Sequence, residues 1–223
     1  HLVRGLLAWA PDAAIVTLDK LTYAGCLANL EDALDHPRHT FVEGDICDRA
    51  LVDALMKEHA IDAVLHLAAE SHVDRSILGS GEFIRTNVSG THTLLEAARV
   101  HTESRDAPFR FVHVSTDEVF GSLGDTGFFV ETTAYDPRSP YSASKAASDH
   151  MMRCIANEFG ERGIRAGQQP DVAEAGLKPR CAEPALPARA RPGQKGGQVV
   201  GAHGVQRQAG CAGVGKGRFQ LIW

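Results

Sequence analysis

The stretch TFVEGDICDRALVDALMKEHAIDAVLHLA, residues 40–68, contains two short apolar runs separated by an amphipathic segment. The runs TFVEGD and DAVLHLA are rich in β-branched and other apolar residues, which is typical of buried strands. Between them, residues 49–59 carry apolar side chains at spacings of three and four, the period of a helix that buries one face. A strand, a helix and a second strand in this order predict a βαβ unit with parallel strands.

The same alternation extends on both sides of this unit. Further strands are predicted at residues 13–19 (AAIVTLD) and 110–115 (RFVHVS), and a further helix at residues 81–101. The opening HLVRGLLAWA has helical spacing but no residue that would cap a helix before it. We therefore predict an α/β fold for residues 1–160, a Rossmann-like doubly wound parallel sheet.

Composition restricts the classes of function. With 223 residues and 43% hydrophobic content, the chain can bury one sizeable core. A net charge of −5 argues against a general nucleic-acid binder, and no apolar run approaches the roughly 20 residues that span a bilayer. The five cysteines form no CxxC motif, which predicts a reduced, cytoplasmic setting. No histidine pair combines helical spacing with an acidic neighbour, so we expect no metal site.

The character of the sequence changes near residue 160. Residues 161–223 hold twelve of the 22 glycines, five of the ten prolines, and ten Lys and Arg against four Asp and Glu. Only FQLIW at the end is markedly apolar, so few side chains could offset the entropy of ordering by their burial. We expect a low-complexity basic tail that is disordered or frame-shifted. A basic arm for an anionic partner is the alternative.

Acidic residues follow two of the predicted strands. Asp19 ends the strand at 13–19, where dinucleotide-binding units place a carboxylate that binds the adenosine ribose and repels the extra phosphate of NADP. Asp45 follows the strand at 40–45 beside Ile46, a pair that suits an amino group and a flat face of adenine. Asp often caps helices, so each acid alone is weak evidence. Asp19 predicts NAD as the cofactor, although the chain contains no GxxGxxG phosphate loop.

Polar residues also end the last predicted strand before residue 160. Residues 115–118, Ser-Thr-Asp-Glu, follow the apolar run there, and ligands of open α/β sheets bind outside the carboxyl ends of the strands. A plain polar loop is the alternative. Tyr141 and Lys145 are four residues apart and share one face of a predicted helix. A lysine ammonium near a phenol lowers the pKa of the tyrosine, so the pair predicts a catalytic base.

Five segments, in this order and spacing, resemble the extended short-chain dehydrogenase/reductase superfamily. They are LDKLTYAG (18–25), HLAAESHVDRSI (66–77), TNVSGTHTLLEAAR (86–99), VSTDEVFG (114–121) and SPYSASKAASDH (139–150). Within the superfamily the chain is most similar to the dTDP-glucose 4,6-dehydratases. The Thr-Asp-Glu triplet discriminates best, because related 4-epimerases usually have small residues at its second and third positions and GDP-mannose dehydratases have Ser in the middle.

The resemblance implies a hydro-lyase that converts dTDP-glucose to dTDP-4-keto-6-deoxyglucose through transient C4 oxidation by bound NAD, a step toward rhamnose and other deoxysugars. Tyr141 would take the proton of the 4-hydroxyl, while Thr116 binds the same oxygen and Lys145 holds the nicotinamide ribose. Glu118 would then remove the C5 proton and Asp117 would protonate the departing 6-hydroxyl. These two roles need Glu118 ionised and Asp117 neutral.

The resemblance also implies the binding residues and partners. The expected NAD contacts are Asp19, Lys20, Leu21, Thr22, Asp45, Ile46, Leu67, Ala68, Ala69, Glu70, Ser71, Thr86, Tyr141 and Lys145. The sugar would contact Ser71 and Thr116. The expected partner is dTDP-glucose, bound by a homodimer, with neither nucleic acid nor membrane involved.

Two departures from the family pattern concern the ends of the match. The family's glycine loop would lie immediately before His1, so we expect the first strand and that loop to be missing. After residue 160 the family continues with a strand, an NxYGP segment and a substrate lobe, none of which follows here. The activity of the chain as it stands is therefore open. Another sugar-nucleotide dehydratase, decarboxylase or epimerase is an alternative, and so is a non-catalytic remnant or interaction module.

Overall fold

The computed structural model describes residues 1–124, 126–159 and 218–222. The strands are β1 (Ala14–Asp19), β2 (His39–Glu43), β3 (Ala63–His66), β4 (Arg110–His113) and β5 (Arg218–Ile222). The α-helices are α1 (Leu2–Trp9), α2 (Glu31–Leu34), α3 (Arg49–Glu58), α4 (Val73–Leu78), α5 (Gly81–Phe83), α6 (Thr91–Glu103) and α7 (Pro140–Phe159). Two 3₁₀ turns (Leu27–Leu30 and Asp117–Phe120) and a π-helical segment (Ile84–Gly90) complete the described elements.

The five strands form one parallel sheet in the order β2-β1-β5-β3-β4. The central strand is therefore the last one in the chain. Its residue Ile222 pairs with Leu18 of β1 on one side and with His66 of β3 on the other. Because all strands are parallel, their carboxyl ends meet at one edge of the sheet, where an open α/β sheet binds its ligands.

Helices pack on both faces of the sheet, because neighbouring residues of a strand point to opposite sides. On β1, Ile15 belongs to a small apolar cluster with Val3 of α1. The next residue, Val16, belongs to the main core, which also takes side chains from α3, α6 and α7. The predicted doubly wound α/β fold is thus confirmed.

A π-helical segment interrupts the long helical stretch Gly81–Glu103. A Cβ atom added to Gly90 at its end would lie 2.5 Å from Cδ1 of Ile46. The absence of a side chain at Gly90 therefore lets this helix approach the loop after β2 closely. The segment also buries Asn87, which is 1% exposed.

The sequence predicted β1 to β4 and α3 with bounds that differ by two residues or fewer. It also predicted a single helix over residues 81–101, where the structure has α5, the π-helical segment and α6. It did not predict β5. Apart from β5, the tail predicted over 161–223 lies outside the described residues, and its disorder or frame shift stays a prediction. Among the described residues, none of the helices has the length and hydropathy of a membrane crossing, and no group of His, Cys, Asp and Glu is suited to a metal.

Candidate active site

The loop after β4 presents two carboxylates at the carboxyl edge of the sheet. Thr116 precedes the 3₁₀ turn Asp117–Phe120, and its Oγ1 accepts a 3.3 Å hydrogen bond from the backbone amide of Glu118. Val119 is 1% exposed and anchors the turn, while Asp117 and Glu118 are exposed. The turn therefore buries its apolar residue and leaves both carboxyl groups accessible.

Gly121 ends this turn with a φ of 88°, a backbone conformation that L side chains rarely adopt. A Cβ atom there would lie 2.6 Å from the carbonyl oxygen of Asp136, whose own amide donates to the carbonyl of Val119 at 2.9 Å. The segment that leads to α7 is thus fastened directly behind the two carboxylates.

Helix α7 brings Tyr141 and Lys145 to the same edge. Both side chains are buried, at 8% and 4% exposure. The Lys145 Nζ atom donates a 2.6 Å hydrogen bond to the carbonyl oxygen of Val114, just beyond the end of β4. The hydroxyl of Thr116 lies near enough to the Tyr141 phenol to influence its pKa. The predicted grouping of Tyr141, Lys145 and Thr116 is therefore present.

The protonation of Tyr141 differs from the expectation. Burial raises the pKa of Tyr141, the nearby hydroxyl of Thr116 opposes the rise, and the carboxyl groups of Glu118 and Asp117 add to it. The prediction that Lys145 lowers this pKa is thus wrong for the chain by itself. Its ammonium is committed to the carbonyl of Val114, and burial dominates at the phenol.

Lys145 and Glu118 also titrate away from their ordinary values. Burial lowers the pKa of Lys145 to about 8, and the charge of Asp149 opposes this. Burial raises the pKa of Glu118, and the negative charge of Asp117 raises it further by a smaller amount. This direction favours the neutral form of Glu118, against the expectation of a readily ionised group, and makes its carboxylate a stronger base.

Sequence reasoning missed Asp149, which connects α7 to the end of β4. Its Oδ2 accepts hydrogen bonds from Ser115 Oγ at 2.5 Å and from Tyr135 OH at 3.0 Å. His113 Nε2 lies 3.3 Å from its other oxygen. Although burial opposes it, these bonds hold the pKa of Asp149 below its ordinary value. The signal in the sequence was its position four residues after Lys145, on the same helix face.

Asn87 was also missed, although it directly follows the predicted contact Thr86. Its Oδ1 accepts from the amide of Glu70 at 2.8 Å, and its Nδ2 donates to the carbonyl of Glu70 at 2.9 Å and to Ser144 Oγ at 2.8 Å. Ser144 in turn donates to the carbonyl oxygen of Tyr141 at 2.6 Å. One buried amide therefore joins the loop after β3 to the helix turn that carries the tyrosine.

Two buried histidines lie behind this site at paired positions of β3 and β4. The ring centroids of His66 and His113 are 5.0 Å apart. Burial lowers the pKa of both rings, and the charge of Lys145 contributes in each case. Both rings are consequently neutral at neutral pH.

The residues predicted to bind adenosine surround the carboxyl ends of β1 and β2. Asp19 Oδ1 accepts a 2.8 Å hydrogen bond from the amide of Leu21, whose φ of 48° turns the chain sharply. Asp45 forms ion pairs with Lys20 at 2.9 Å and with Arg85 at 2.8 Å. Although burial opposes it, a backbone hydrogen bond from Cys47 and the two cations lower the pKa of Asp45 to about 2.

The structure disagrees with the predicted adenine contact of Ile46 and limits that of Asp45. Ile46 is 4% exposed within the main core, so its side chain offers no open apolar face to an adenine. Asp45 is already paired with two cations, and an amino group would have to share its carboxylate with them. Asp19 keeps one oxygen beyond its bond to Leu21, and Thr22 is exposed beside it.

The remaining predicted contacts follow β3 or lie in the π-helical segment. Ala68 is 6% exposed, whereas Leu67, Ala69, Glu70 and Thr86 are half-buried and Ser71 is exposed. The bonds of Asn87 fix the backbone at Glu70 and hold this loop beside the π-helical segment.

A parallel doubly wound sheet with a Tyr–Lys helix face and polar residues at the carboxyl ends of its strands defines an extended short-chain dehydrogenase/reductase. A family model described as GDP-mannose 4,6 dehydratase matches residues 1–165, and the chain belongs to that family.

Curated relatives refine this assignment. The chain is 59% identical over 151 residues to a dTDP-glucose 4,6-dehydratase of Xanthomonas campestris, a match that covers 66% of this chain and 43% of the relative. It is 49% identical over 172 residues to dTDP-glucose 4,6-dehydratase 1 of Escherichia coli, covering 71% of this chain and 47% of the relative. The chain thus spans about half the length of the curated relatives it matches. Their names agree with the resemblance carried by the Thr-Asp-Glu triplet.

Solved structures give the same picture. The fold is similar to DesIV, a dTDP-glucose 4,6-dehydratase of Streptomyces venezuelae solved with NAD, with a TM-score of 0.66, 46% identity and coverage of 74% of this chain and 50% of that one. A UDP-glucose 4-epimerase of Brucella ovis in complex with NAD is more distant, with a TM-score of 0.60, 29% identity and coverage of 74% and 45%.

Proposed function

We propose that this chain carries the NAD-binding and catalytic part of a dTDP-glucose 4,6-dehydratase. The observation that supports it is the meeting of two elements at one sheet edge: the Thr116–Glu118 turn after β4, and the Tyr141–Lys145 face of α7. An epimerase needs a proton acceptor at a sugar hydroxyl. The two further carboxyl groups of Asp117 and Glu118 suit an added elimination.

The residues at the carboxyl edge fit NAD. Asp19 offers a free carboxylate oxygen to the adenosine ribose, and its negative charge disfavours the extra phosphate of NADP. Lys145 is a buried amine close to the end of β4, where it would hold the nicotinamide ribose. When bound, NAD accepts a hydride from C4 of the sugar and returns it to C6.

The chain's own residues would first prepare the 4-hydroxyl for oxidation. Tyr141 takes its proton, and Thr116, which lies near the Tyr141 phenol, binds the same oxygen. Lys145 lies one helical turn away on the same face of α7. In the free chain the raised pKa keeps the Tyr141 phenol neutral, and we propose that binding of substrate and cofactor lowers that pKa.

The two carboxyl groups would then divide the elimination between them. Oxidation at C4 places the C5 proton next to a ketone and makes it acidic. Glu118, a stronger base because its pKa is raised, removes that proton, and Asp117 protonates the departing 6-hydroxyl. Ser71, exposed after β3, would bind the sugar.

The wider assignments belong to the same proposal. Residues 1–160 form a partial NAD-binding domain, the substrate is dTDP-glucose, and the working form is a homodimer, which sedimentation can test. The free thiols of Cys26, Cys47 and Cys154 suit a reducing compartment such as the cytoplasm.

A chimera tests the function directly. Because the chain spans about half of its curated relatives, residues 1–159 should replace the matching segment of the Xanthomonas enzyme. We expect this chimera to bind NAD and to convert dTDP-glucose to a product that has lost one water, as measured by mass spectrometry. The same chimera with Tyr141→Phe is the matched control. A folded chimera that binds NAD and dTDP-glucose but yields no product would overturn the proposal in favour of a non-catalytic remnant.

A further inference from the structure

Asp149 is a buried carboxylate that contacts three parts of the chain. It is 8% exposed, and it accepts from Ser115 after β4 at 2.5 Å and from Tyr135 in the loop before α7 at 3.0 Å. His113 of β4 lies 3.3 Å from its other oxygen. A buried carboxylate requires such partners, because its desolvation is otherwise costly. This degree of satisfaction makes Asp149 a rigid attachment point for α7.

The attachment lies next to the predicted catalytic groups. Ser115 immediately precedes Thr116, and the carbonyl of Val114 receives the ammonium of Lys145 at 2.6 Å. Lys145 and Asp149 are four residues apart and therefore lie on consecutive turns of α7. Lys145 contacts Val114 and Asp149 contacts Ser115, so two turns of the helix are attached to two consecutive residues after β4. Loss of either contact would let the end of this strand move relative to Tyr141.

Asp149 also dominates the charge around Lys145. The titratable groups that face this ammonium are His113 from β4, His66 from β3, and Asp149 from its own helix. Both rings are neutral at neutral pH because their pKa values are lowered. The carboxylate of Asp149 is therefore the charge that opposes the loss of the lysine proton in a buried place.

We propose that Asp149 is a positioning residue for the reaction proposed above: its carboxylate fixes Ser115, and through it Thr116, against α7, and it keeps Lys145 in the ammonium form. The inference rests on the proposed function for its catalytic meaning. Its structural and electrostatic content concerns the chain alone.

Titration of Lys145 by NMR in the full chain, labelled with ¹³C-lysine, tests the electrostatic part. Lys145→Arg assigns the resonance. We expect Asp149→Asn to move the Lys145 midpoint to lower pH, whereas Ser115→Ala, which deletes the 2.5 Å hydrogen bond but keeps the carboxylate, should leave the midpoint nearly in place. If Asp149 had only a structural role, the Lys145 titration midpoint would be the same in the unmodified chain, in Asp149→Asn and in Ser115→Ala. That result in a folded Asp149→Asn chain, checked by circular dichroism, would overturn the proposal.

A second measurement covers the case in which Asp149→Asn does not fold. The double variant Ser115→Ala/Tyr135→Phe keeps the carboxylate and removes two of its donors. The Asp149 carboxyl resonance should then titrate at higher pH than in the unmodified chain, because both hydrogen bonds lower its pKa. An unchanged Asp149 titration would show that these contacts do not hold the carboxylate, and would equally overturn the proposal.

The catalytic part is read in the chimera. Asp149→Asn should lower kcat more than it raises KM, and the loss should grow as the pH rises toward 8, because the variant loses its ammonium at lower pH. A loss of kcat with no dependence on pH would contradict the electrostatic role. The NMR measurements need neither NAD nor sugar, so an inactive chimera refutes the proposed function without deciding the role of Asp149.

Discussion

Lys145 reaches from α7 to the end of β4, where its Nζ atom donates a 2.6 Å hydrogen bond to the carbonyl oxygen of Val114. The side chain is 4% exposed, and burial lowers its pKa to about 8 from an ordinary value of 10.5. The fold therefore holds a lysine in a place that disfavours its charge. Such a group reduces the stability of the fold. Active sites commonly contain groups of this kind, because function requires them.

The first prediction concerns the stability cost of Lys145. Below pH 8 the lysine is charged in both the folded and the unfolded chain, and the folded chain bears the full destabilisation of burying that charge. Between pH 8 and 10.5 only the unfolded chain keeps the proton, so this destabilisation disappears as the pH rises toward 10.5. This lowered pKa of Lys145 decreases the free energy of unfolding by about 3 kcal/mol near pH 7 and by about 1 kcal/mol near pH 9.5. Lys145→Met should therefore raise the free energy of unfolding in urea at pH 7, by at most that amount, because it also loses the bond to Val114.

Lys57→Met on the exposed face of α3 is the control for this measurement. Its effect on the free energy of unfolding should be small at both pH values. If Lys145→Met gave the same difference from the unmodified chain at pH 7 and at pH 9.5, the lysine would not carry the depressed pKa.

The second prediction concerns the close approach at Gly90. A Cβ atom there would lie 2.5 Å from Cδ1 and 2.7 Å from Cγ1 of Ile46, which is itself buried. Gly90→Ala should thus destabilise the chain by about 1–3 kcal/mol through overpacking. Gly81→Ala in the same helical stretch meets nothing within 4 Å and should be neutral or stabilising, by up to about 1 kcal/mol. Equal urea midpoints for the two variants would show that the helix can shift freely away from Ile46.

The third prediction concerns cofactor choice in the chimera. Asp19→Ser removes the carboxylate proposed to bind the adenosine ribose and to repel NADP. The affinity for NAD should fall by about 10-fold to 100-fold, the value of a hydrogen bond to a charged group, and NADP should gain relative to NAD. Glu43, paired with Asp19 in the sheet register, supplies the control, because Glu43→Gln removes a neighbouring charge without touching that contact. Unchanged NAD and NADP titrations in Asp19→Ser would place the adenosine elsewhere.

Local patterns allowed much of this fold to be predicted. The strands β1 to β4 are short apolar runs, and the helices α3 and α6 have apolar residues at helical spacing. Both patterns depend only on neighbouring residues, so these elements could be predicted directly. The pairing of Tyr141 with Lys145 follows from their spacing alone, since both lie on one helix. The position of Thr116 beside them follows from the rule that parallel strands end at one edge.

The features that sequence reasoning missed depend on long-range contacts. FQLIW is apolar in the sequence, but the place of residues 219–222 in β5, between β1 and β3, depends on two partner strands far away in the sequence. The pKa of Tyr141 depends on how deeply α7 is packed, and the spacing of the pair cannot show that depth. Asp149 was visible as an acid after Lys145, whereas its bond to Ser115 needed the placement of α7 on β4.

The last prediction separates the roles of the Thr-Asp-Glu turn and the tyrosine. In the chimera, Glu118→Gln should still allow oxidation at C4, because that step uses Tyr141, Thr116 and Lys145. The reaction should then stop before elimination. Rapid mixing with dTDP-glucose should therefore show NADH absorbance that accumulates, and exchange of the C5 proton with solvent should slow by about 10²-fold to 10⁴-fold.

Two companion variants complete this test. Tyr141→Phe should suppress the NADH signal itself, because the 4-hydroxyl loses its proton acceptor. Asp117→Asn should keep C4 oxidation and slow the loss of the 6-hydroxyl. If Glu118→Gln abolished the NADH signal as fully as Tyr141→Phe, with fold and NAD binding intact, Glu118 would not be the base for C5. Both variants would then have lost the oxidation at C4. The exposed turn at Asp117 and Glu118 would in that case position the sugar for this oxidation.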